Sequence, residues 1–194
     1  MRYTTDIVVI DLEATCPEED IGDNLVARSN IIEIGAVRLD RRSLEVKASF
    51  SELVRPVEYP LTPFITELTG ITPEMLADRE DFGAVCRRFL DWYGPRNKAI
   101  LAAFGAYYDV PLLRRDCLAH GIDYSAHIAG GALDIRAVAT VWLAEREFRT
   151  SGLALKDVLT KMGAGDDRTL HRAVDDARAA AAILQVFHLG RPLA

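Results

Sequence analysis

The chain has 194 residues, of which 49% are hydrophobic and 27% are charged, and its formal net charge at pH 7 is −6. This length suits one ordinary domain with a real core, and an acidic balance disfavours a protein that wraps a long duplex by neutralising many phosphates. The charge permits an enzyme that grips the end of a short polyanion through metal ions, and the apolar runs fall short of the roughly 20 residues of a membrane helix.

The cysteines bear on the cellular compartment. Cys16, Cys86 and Cys117 are scattered, odd in number and without zinc-type spacing, which predicts reduced thiols. The N-terminus lacks the charged-then-apolar pattern of a signal peptide. We therefore expect a cytoplasmic protein without a membrane partner, and the choice between monomer and homodimer stays open.

The N-terminal part of the chain predicts three strands. An apolar run indicates the first strand over residues 6–10, extended to residue 13. Residues 30–39 and 46–54 indicate the second and third, and the turn residues 40–43 between them predict a β-hairpin. The polar stretch over residues 17–30 is expected to be a surface loop.

The remaining chain predicts helices interrupted by short strands. Thr62-Pro63 and Thr72-Pro73 each supply an N-cap followed by proline at the first helical position. Apolar spacing and closing glycines predict the later elements, which are helices over residues 82–92, 109–120, 153–162 and 171–189, a buried strand over 99–104, and a strand turning into a helix within 133–143. This order predicts an α/β layered domain with a mixed central sheet.

Two carboxylates end the first strand. Asp11 and Glu13 stand at positions i and i+2, so an extended backbone directs both side chains to one face. Two like charges held this close repel, and each tends to take up a proton unless a cation lies between them. The pair therefore indicates a divalent-metal site.

A third acid follows the fourth predicted strand. Asp109 lies near a helix start at one end of the sheet. The helix dipole favours a carboxylate there, and α/β folds usually carry their sites at this end of the strands. An ordinary helix N-cap is the alternative interpretation of Asp109.

The last helix adds a histidine and a fourth acid. Five helical residues turn by about 140°, so His171 and Asp176 cannot share a face if both are helical, and we place His171 on the loop before the helix. Asp176 aligns with an apolar, inward-facing stripe, where an acid is costly unless it is paired or metal-bound. Asp175 aligns instead with a charged stripe that contains Arg172 and Arg178. Asp176 is therefore the candidate ligand.

Four acids and one histidine of this kind suit two-metal cleavage of a phosphodiester. Mg²⁺ and Mn²⁺ prefer oxygen ligands. Two such ions about 4 Å apart can stabilise both the attacking hydroxide and the leaving 3′ oxygen. A histidine that titrates near neutrality can take a proton from the nucleophilic water.

Five ordered segments of the chain carry a family resemblance. They are residues 9–16, 31–37, 68–72, 104–109 and 171–176. With these segments the chain resembles DEDDh-type 3′–5′ exonucleases of the DnaQ-like superfamily, in the ERI-1-like subgroup that also includes bacterial proteins described as sporulation-kinase-pathway inhibitors. The likeness covers about residues 6–188, so we expect one exonuclease domain over residues 1–194.

The resemblance implies a fold, a metal site and a base. The fold is RNase H-like, with a mixed central five-stranded sheet flanked by helices. By resemblance, two divalent ions, Mg²⁺ or Mn²⁺, are bound by Asp11, Glu13, Asp109 and Asp176, and His171 is the general base. All five positions are intact in this sequence, which argues against an inactive relative.

The resemblance also implies substrate contacts, which are less specific. Besides His171, the residues expected to contact the terminal nucleotide are Ala14, Thr15, Leu68, Thr69 and Phe104. Phe104 stands where the subgroup often has tryptophan, and core packing is the alternative interpretation of Phe104 and Leu68. Arg168 and Arg172 are candidates for phosphate contact, and Glu33 is expected to be structural.

These expectations lead to three hypotheses of function. The first is an exonuclease that releases 5′-mononucleotides from the 3′ end of single-stranded nucleic acid, with RNA favoured over DNA. The second is an interaction protein that regulates a partner and retains the fold, and the intact acids argue against it. The third is an RNase H-like nuclease that cuts internally, which the spacing of His171 and Asp176 and the Leu68-Thr69-Gly70 segment disfavour.

Overall fold

A five-stranded mixed sheet forms the centre of the computed structural model, which describes residues 3–16, 26–164 and 171–190. β2 is antiparallel to its neighbours β1 and β3, whereas β4 runs parallel to β1 and to β5. The order across the sheet is β3-β2-β1-β4-β5, and the strands are β1 (Asp6–Ala14), β2 (Ile31–Leu39), β3 (Val46–Leu53), β4 (Ala99–Ala103) and β5 (Leu133–Asp134). The predicted mixed five-stranded sheet with flanking helices is confirmed.

Seven α-helices flank this sheet in the described residues. They are α1 (Pro63–Thr69), α2 (Pro73–Ala77), α3 (Phe82–Tyr93), α4 (Ala106–Ala119), α5 (Ile135–Ala144), α6 (Leu155–Met162) and α7 (Ala173–Leu189). Thr62 and Thr72 cap α1 and α2 through their hydroxyl groups, as the Thr-Pro pairs predicted. None of these helices has the length and apolarity that crossing a membrane requires.

Three helices begin at other residues than the sequence predicted, and one of them is α6, which starts at Leu155 instead of residue 153. Gly105 adopts a left-handed φ of 81° as the N-cap of α4, so the helix starts at Ala106 and Asp109 lies inside its first turn. The interpretation of Asp109 as an ordinary N-cap is therefore wrong. The last helix starts at Ala173 and not at residue 171, so the predicted placement of His171 on the loop before this helix is confirmed. Of the predicted surface loop, residues 17–25 lie outside the described residues, and Val26–Arg28 form a short 3₁₀ helix.

Alternating side chains of the sheet fill two separate core layers. Ile7 and Val9 of β1 belong to a cluster with α5, α6 and α7, whereas Val8 and Ile10 belong to a cluster with α3 and α4. Because side chains alternate along a strand, Asp11 and Glu13 lie on the same face as Ile7 and Val9. The first two acids of the predicted site therefore face α7.

Candidate metal centre

The N-terminal end of α7 approaches the sheet at Gly35 of β2, which pairs with Asp11 across the β1–β2 ladder. A Cβ atom at Gly35 would lie 2.1 Å from the carbonyl carbon of Ala173 and from the amide nitrogen of Val174. Only a glycine leaves room for helix backbone at this distance. The missing side chain lets the first turn of α7 lie directly over the end of β1.

Three of the predicted ligands meet at this contact. Carboxylate oxygens of Asp11, Glu13 and Asp176 lie within 4.8 Å of one another, and all three side chains are half-buried. Asp11 and Glu13 come from one strand face, and Asp176 comes from the first turns of α7. Three carboxylates that converge in this way offer the oxygen ligands that Mg²⁺ or Mn²⁺ prefers.

Asp109 lies beside this cluster on the first turn of α4. Its side chain is buried, and its Oδ1 accepts a hydrogen bond of 3.1 Å from the backbone amide of Leu12. A carboxylate has two oxygens, so this bond orients Asp109 and is compatible with a role as ligand. Burial is the largest cause of the raised pKa of Asp11. Among the neighbouring carboxylates, Asp109 raises this pKa the most.

The four acids have raised pKa values, and burial is the largest cause of each increase. The pKa of Glu13 is raised to about 8, first by burial and then by the nearby carboxylates of Asp176 and Glu33. Burial raises the pKa of Asp109 to about 7, against the opposing hydrogen bond from Leu12. Burial also raises the pKa of Asp11. It raises the pKa of Asp176 as well, against the opposing effect of the hydrogen bond from the His171 amide. Such crowding is unfavourable without a cation.

The metal-free protein is expected to lose stability as the pH rises from about 5 to about 8. In the folded chain the pKa of Glu13 is about 8 against an ordinary value of 4.5, so the folded state holds a proton that the unfolded state releases. The stability that this proton provides is complete below pH 4.5 and is lost as the pH rises through 8. Each carboxyl of this kind contributes up to about 1.4 kcal/mol per pH unit, and urea unfolding in EDTA across this range would measure the slope.

Saturating Mg²⁺ should remove most of that slope, because the ion binds carboxylates in their charged form. The increase in the unfolding midpoint caused by Mg²⁺ should therefore be larger at pH 8 than at pH 5. An equal increase at both pH values would contradict the assignment of these carboxylates to the metal centre.

His171 precedes α7 in an unusual backbone conformation. Its φ is 76°, in the left-handed region, and its side chain is exposed. Its backbone amide donates to both carboxylate oxygens of Asp176 at 3.3 Å. Histidine tolerates this region better than most residues, yet the conformation needs support from its surroundings. The carboxylate of Asp176 provides that support and places His171 next to the metal centre.

Three of the predicted substrate contacts are largely buried. Ala14 is 8% exposed and Thr15 is 1% exposed. The Thr15 hydroxyl accepts a hydrogen bond of 2.8 Å from the amide of Asn30. The hydroxyl of Thr69 likewise donates to a backbone carbonyl of α1 and accepts from the amide after Gly70. The hydroxyls of both threonines thus serve the fold, and contact of these three residues with substrate stays a prediction.

The two apolar predicted contacts differ in exposure. Phe104 is half-buried and packs against the core layer that contains α7, which agrees with the alternative interpretation as core packing. Leu68 is 40% exposed on α1, and Phe64, one helical turn earlier, is 60% exposed. Phe64 was not among the predicted contacts, although its i, i+4 spacing from Leu68 is visible in the sequence. A direct role of any of these side chains in binding stays a prediction.

Arg172 is engaged inside the fold. Its guanidinium contacts the carboxylate of Glu33 through Nε at 3.0 Å and Nη2 at 2.7 Å. The charged stripe predicted for Asp175 is confirmed only for Arg178, at 3.0 Å, because Arg172 pairs with Glu33. Arg168 lies outside the described residues. The pairing of Glu33 could have been predicted from the sequence. Glu33 stands in the middle of an apolar strand, where an acid is costly unless it is paired.

A family model and several related proteins match half or more of this chain. The sequence model of the family described as "Exonuclease" matches residues 8–184. The human protein "3'-5' exoribonuclease 1" is 29% identical over 183 residues, which are 91% of this chain and 50% of that protein. The mouse protein "ERI1 exoribonuclease 3" is 37% identical over 105 residues, which are 50% of this chain and 30% of that protein. The chain thus spans half or less of the length of these two relatives.

Solved structures show the same fold. The nuclease domain of 3′hExo, a DEDDh family member bound to rAMP, matches with a TM-score of 0.79 at 28% identity, over 97% of this chain and 93% of that domain. Escherichia coli exonuclease I in complex with a dA16 oligonucleotide matches with a TM-score of 0.72 at 18% identity, over 96% of this chain and 41% of that one. At this lower identity the second likeness shows the fold alone.

Proposed function

Because the chain belongs to the exonuclease family, we propose that it is a metal-dependent 3′–5′ exonuclease that releases 5′-mononucleotides from single-stranded nucleic acid. The observation that carries the proposal is the convergence of Asp11, Glu13 and Asp176 within 4.8 Å beside the buried Asp109. We also propose that about residues 6–188 form one exonuclease domain, which the single continuous sheet supports.

The chain's own residues suit two divalent ions, Mg²⁺ or Mn²⁺. Asp11, Glu13 and Asp176 would hold them, with Asp109 completing the site from α4. Bound ions of this kind stabilise charge on the attacking and leaving oxygens of a phosphodiester. The raised pKa values of Asp11 and Glu13 support this assignment, because binding a cation relieves the repulsion that causes part of them.

His171 is proposed as the general base. Its exposed side chain lies at the start of the segment that carries Asp176, within reach of solvent. A neutral imidazole can accept the proton of the nucleophilic water, a step that typically contributes about 10²- to 10⁴-fold in rate.

RNA is proposed as the favoured substrate. The support comes from the human relative, which is named an exoribonuclease, and from 3′hExo, whose domain was solved with rAMP. Exposed Leu68 and Phe64 on α1 are apolar surfaces suited to a base or sugar, and α1 packs through Ile65 on the cluster that Cys16 also contacts. The residues that follow Asp11 and Glu13 in the chain thus lead from β1 towards α1.

The proposal is tested with 5′-labelled single-stranded RNA and DNA oligomers and with circular oligomers of the same sequences. With Mg²⁺ or Mn²⁺, the linear oligomers should be shortened stepwise from the 3′ end, RNA faster than DNA, while the circles stay intact. Cleavage of the circles would show an internal nuclease. Absence of cleavage in every metal would favour the alternative of a regulatory interaction protein on this fold.

Replacing His171 should separate its chemistry from its backbone conformation. His171→Asn tolerates the left-handed φ of 76° but lacks a basic ring, and His171→Gly removes the conformational cost altogether. We expect both variants to keep Mn²⁺ binding and to lower kcat by roughly 10²-fold or more. Steady-state kinetics and calorimetric Mn²⁺ titration measure the two properties. Unchanged kcat in either variant would remove His171 from its role.

A cytoplasmic location remains part of the proposal. The described cysteines Cys16, Cys86 and Cys117 are free thiols, and the sulfur atoms of Cys86 and Cys117 form a hydrogen bond of 3.5 Å without a disulfide. Free thiols are typical of proteins in a reducing compartment.

A further inference from the structure

The side chain of the N-cap residue does not cap helix α7. Arg172 is its N-cap residue and makes no side-chain capping bond to the helix. Instead, the amide of Ala173, the first residue of α7, donates to Oε2 of Glu33 at 3.1 Å. The capping acceptor therefore comes from β2, far away in the sequence, and it ties the start of the helix to the sheet.

Glu33 is fully buried, and four contacts engage its carboxylate. Besides Ala173, Arg172 contributes two charge-assisted hydrogen bonds, at 2.7 and 3.0 Å, and the hydroxyl of Ser51 lies at 3.5 Å. A buried carboxylate is costly unless it is bonded in this way. Arg172 stays 37% exposed, so its charge is not itself trapped in the core.

The position of this contact is adjacent to the metal centre. Glu33 pairs with Glu13 across the β1–β2 ladder, on the sheet face that α7 covers. Asp176 lies within one helical turn of Ala173, and its carboxylate accepts from the amide of His171. Any movement of the first turn of α7 therefore moves a metal ligand and the proposed base together.

We propose that Glu33 and Arg172 are positioning residues of the metal centre: their ion pair and the bond to Ala173 hold the first turn of α7 where Asp176 meets Asp11 and Glu13. This role rests on the proposed function, because it concerns the ligands of that centre. Groups that orient metal ligands typically affect metal affinity or activity by about 10- to 100-fold when they are replaced.

Positioning and a simple charge effect predict different changes in Mn²⁺ affinity for loss of the Arg172 charge and for Glu33→Asp. If charge alone mattered, removing the anion of Glu33 would weaken Mn²⁺ binding, and removing the cation of Arg172 would strengthen it. If the pair positions α7, both removals weaken binding, because each one releases the helix start. Glu33→Asp keeps the charge but shortens the side chain, so charge alone predicts no loss and positioning predicts a loss.

The experiment uses the full chain and four variants, Glu33→Gln, Glu33→Asp, Arg172→Gln and the control Arg178→Gln. Arg178 pairs with Asp175 on the exposed side of the same helix, at 3.0 Å, so its variant removes an equal charge without touching the sheet contact. Mn²⁺ affinity is measured by calorimetry and electron paramagnetic resonance without nucleic acid, and kcat and KM are measured with a single-stranded RNA oligomer.

We expect the three variants of Glu33 and Arg172 to bind Mn²⁺ roughly tenfold or more weakly and to lose kcat, with KM for RNA within about twofold of the original chain. Arg178→Gln should match the original chain in all three quantities. Unchanged Mn²⁺ affinity in Glu33→Asp, or tighter binding in Arg172→Gln, would overturn the proposal. So would a rise in KM alone for Arg172→Gln, which would make Arg172 a phosphate contact.

Failure of the proposed function gives a different result. An original chain that binds Mn²⁺ but does not shorten RNA would contradict the exonuclease proposal, while the Mn²⁺ affinities of the variants would still decide the role of Glu33 and Arg172. An original chain that binds no Mn²⁺ would overturn both. Glu33→Asp provides the comparison if Glu33→Gln does not fold.

Discussion

Asp11→Asn is expected to abolish nuclease activity and, at the same time, to stabilise the metal-free protein at pH 8. The substitution removes a proposed ligand from the group of carboxylates within 4.8 Å, and activity should fall on the order of 10³-fold or more, the scale on which members of one catalytic unit act. The neutral amide of similar size also removes the repulsion from Asp109, Glu13 and Asp176 that helps to raise the pKa of Asp11. Thermal unfolding in EDTA and oligonucleotide cleavage in Mg²⁺ measure the two effects.

The opposite directions of the two effects are the diagnostic feature. Replacing a residue that serves the fold lowers the stability of the protein. Replacing a residue that is kept for cation binding raises the stability of the cation-free protein. Asp91→Asn is the matched control, because Asp91 is exposed on α3 and should change neither property. Destabilisation of metal-free Asp11→Asn at pH 8 would contradict the account of a metal centre.

Gly35→Ala is expected to destabilise the protein by about 3 kcal/mol or more and to lower the activity of the folded fraction by roughly 10²-fold. The new methyl group would meet backbone atoms of α7 at 2.1 Å, where ordinary contact begins at 3.4 Å. Backbone cannot rotate away as a side chain can, so the first turn of α7 must move and carry Asp176 and His171 with it. Urea unfolding and kcat/KM of the purified variant measure these effects.

Destabilisation by a glycine-to-alanine substitution in a strand is unusual, because alanine normally suits a strand better than glycine. Gly131→Ala is the matched control: nothing lies within 4 Å of a Cβ there, and its φ is outside the left-handed region, so the substitution should be neutral or slightly stabilising. Adding Ala173→Gly should not restore Gly35→Ala, since two of the three closest contacts are with backbone. A stable, active Gly35→Ala would refute the close approach of α7.

The strands and most helices followed from local sequence patterns. Alternation and apolar runs predicted β1 to β4 to within one or two residues, and the Thr-Pro pairs predicted the starts of α1 and α2. The start of α4 was misplaced, because Gly105 as N-cap precedes three residues without a polar capping signal. A left-handed glycine is permitted by the sequence at many positions, and only its surroundings select one.

Residue type in the sequence is least informative about contacts with a substrate. Thr15 and Thr69 stay predicted substrate contacts, and the hydroxyl of Thr15 bonds to the amide of Asn30, whereas that of Thr69 bonds to a carbonyl of its own helix. A hydroxyl can serve the fold or a ligand equally well, and its residue type does not distinguish the two uses. Exposure, which made Phe64 visible as a surface residue, is a property of the packed molecule.

The sequence by itself determined that Asp11 and Glu13 share one face, because the period of a strand is local geometry. It also indicated Asp176 as an acid on an apolar stripe of a helix. Only the tertiary structure decided that Asp176 reaches the strand pair, since that distance depends on the missing side chain at Gly35 and on the bonds of Glu33 to Arg172 and Ala173. These contacts join residues more than one hundred positions apart, and no periodicity along the chain encodes such a distance.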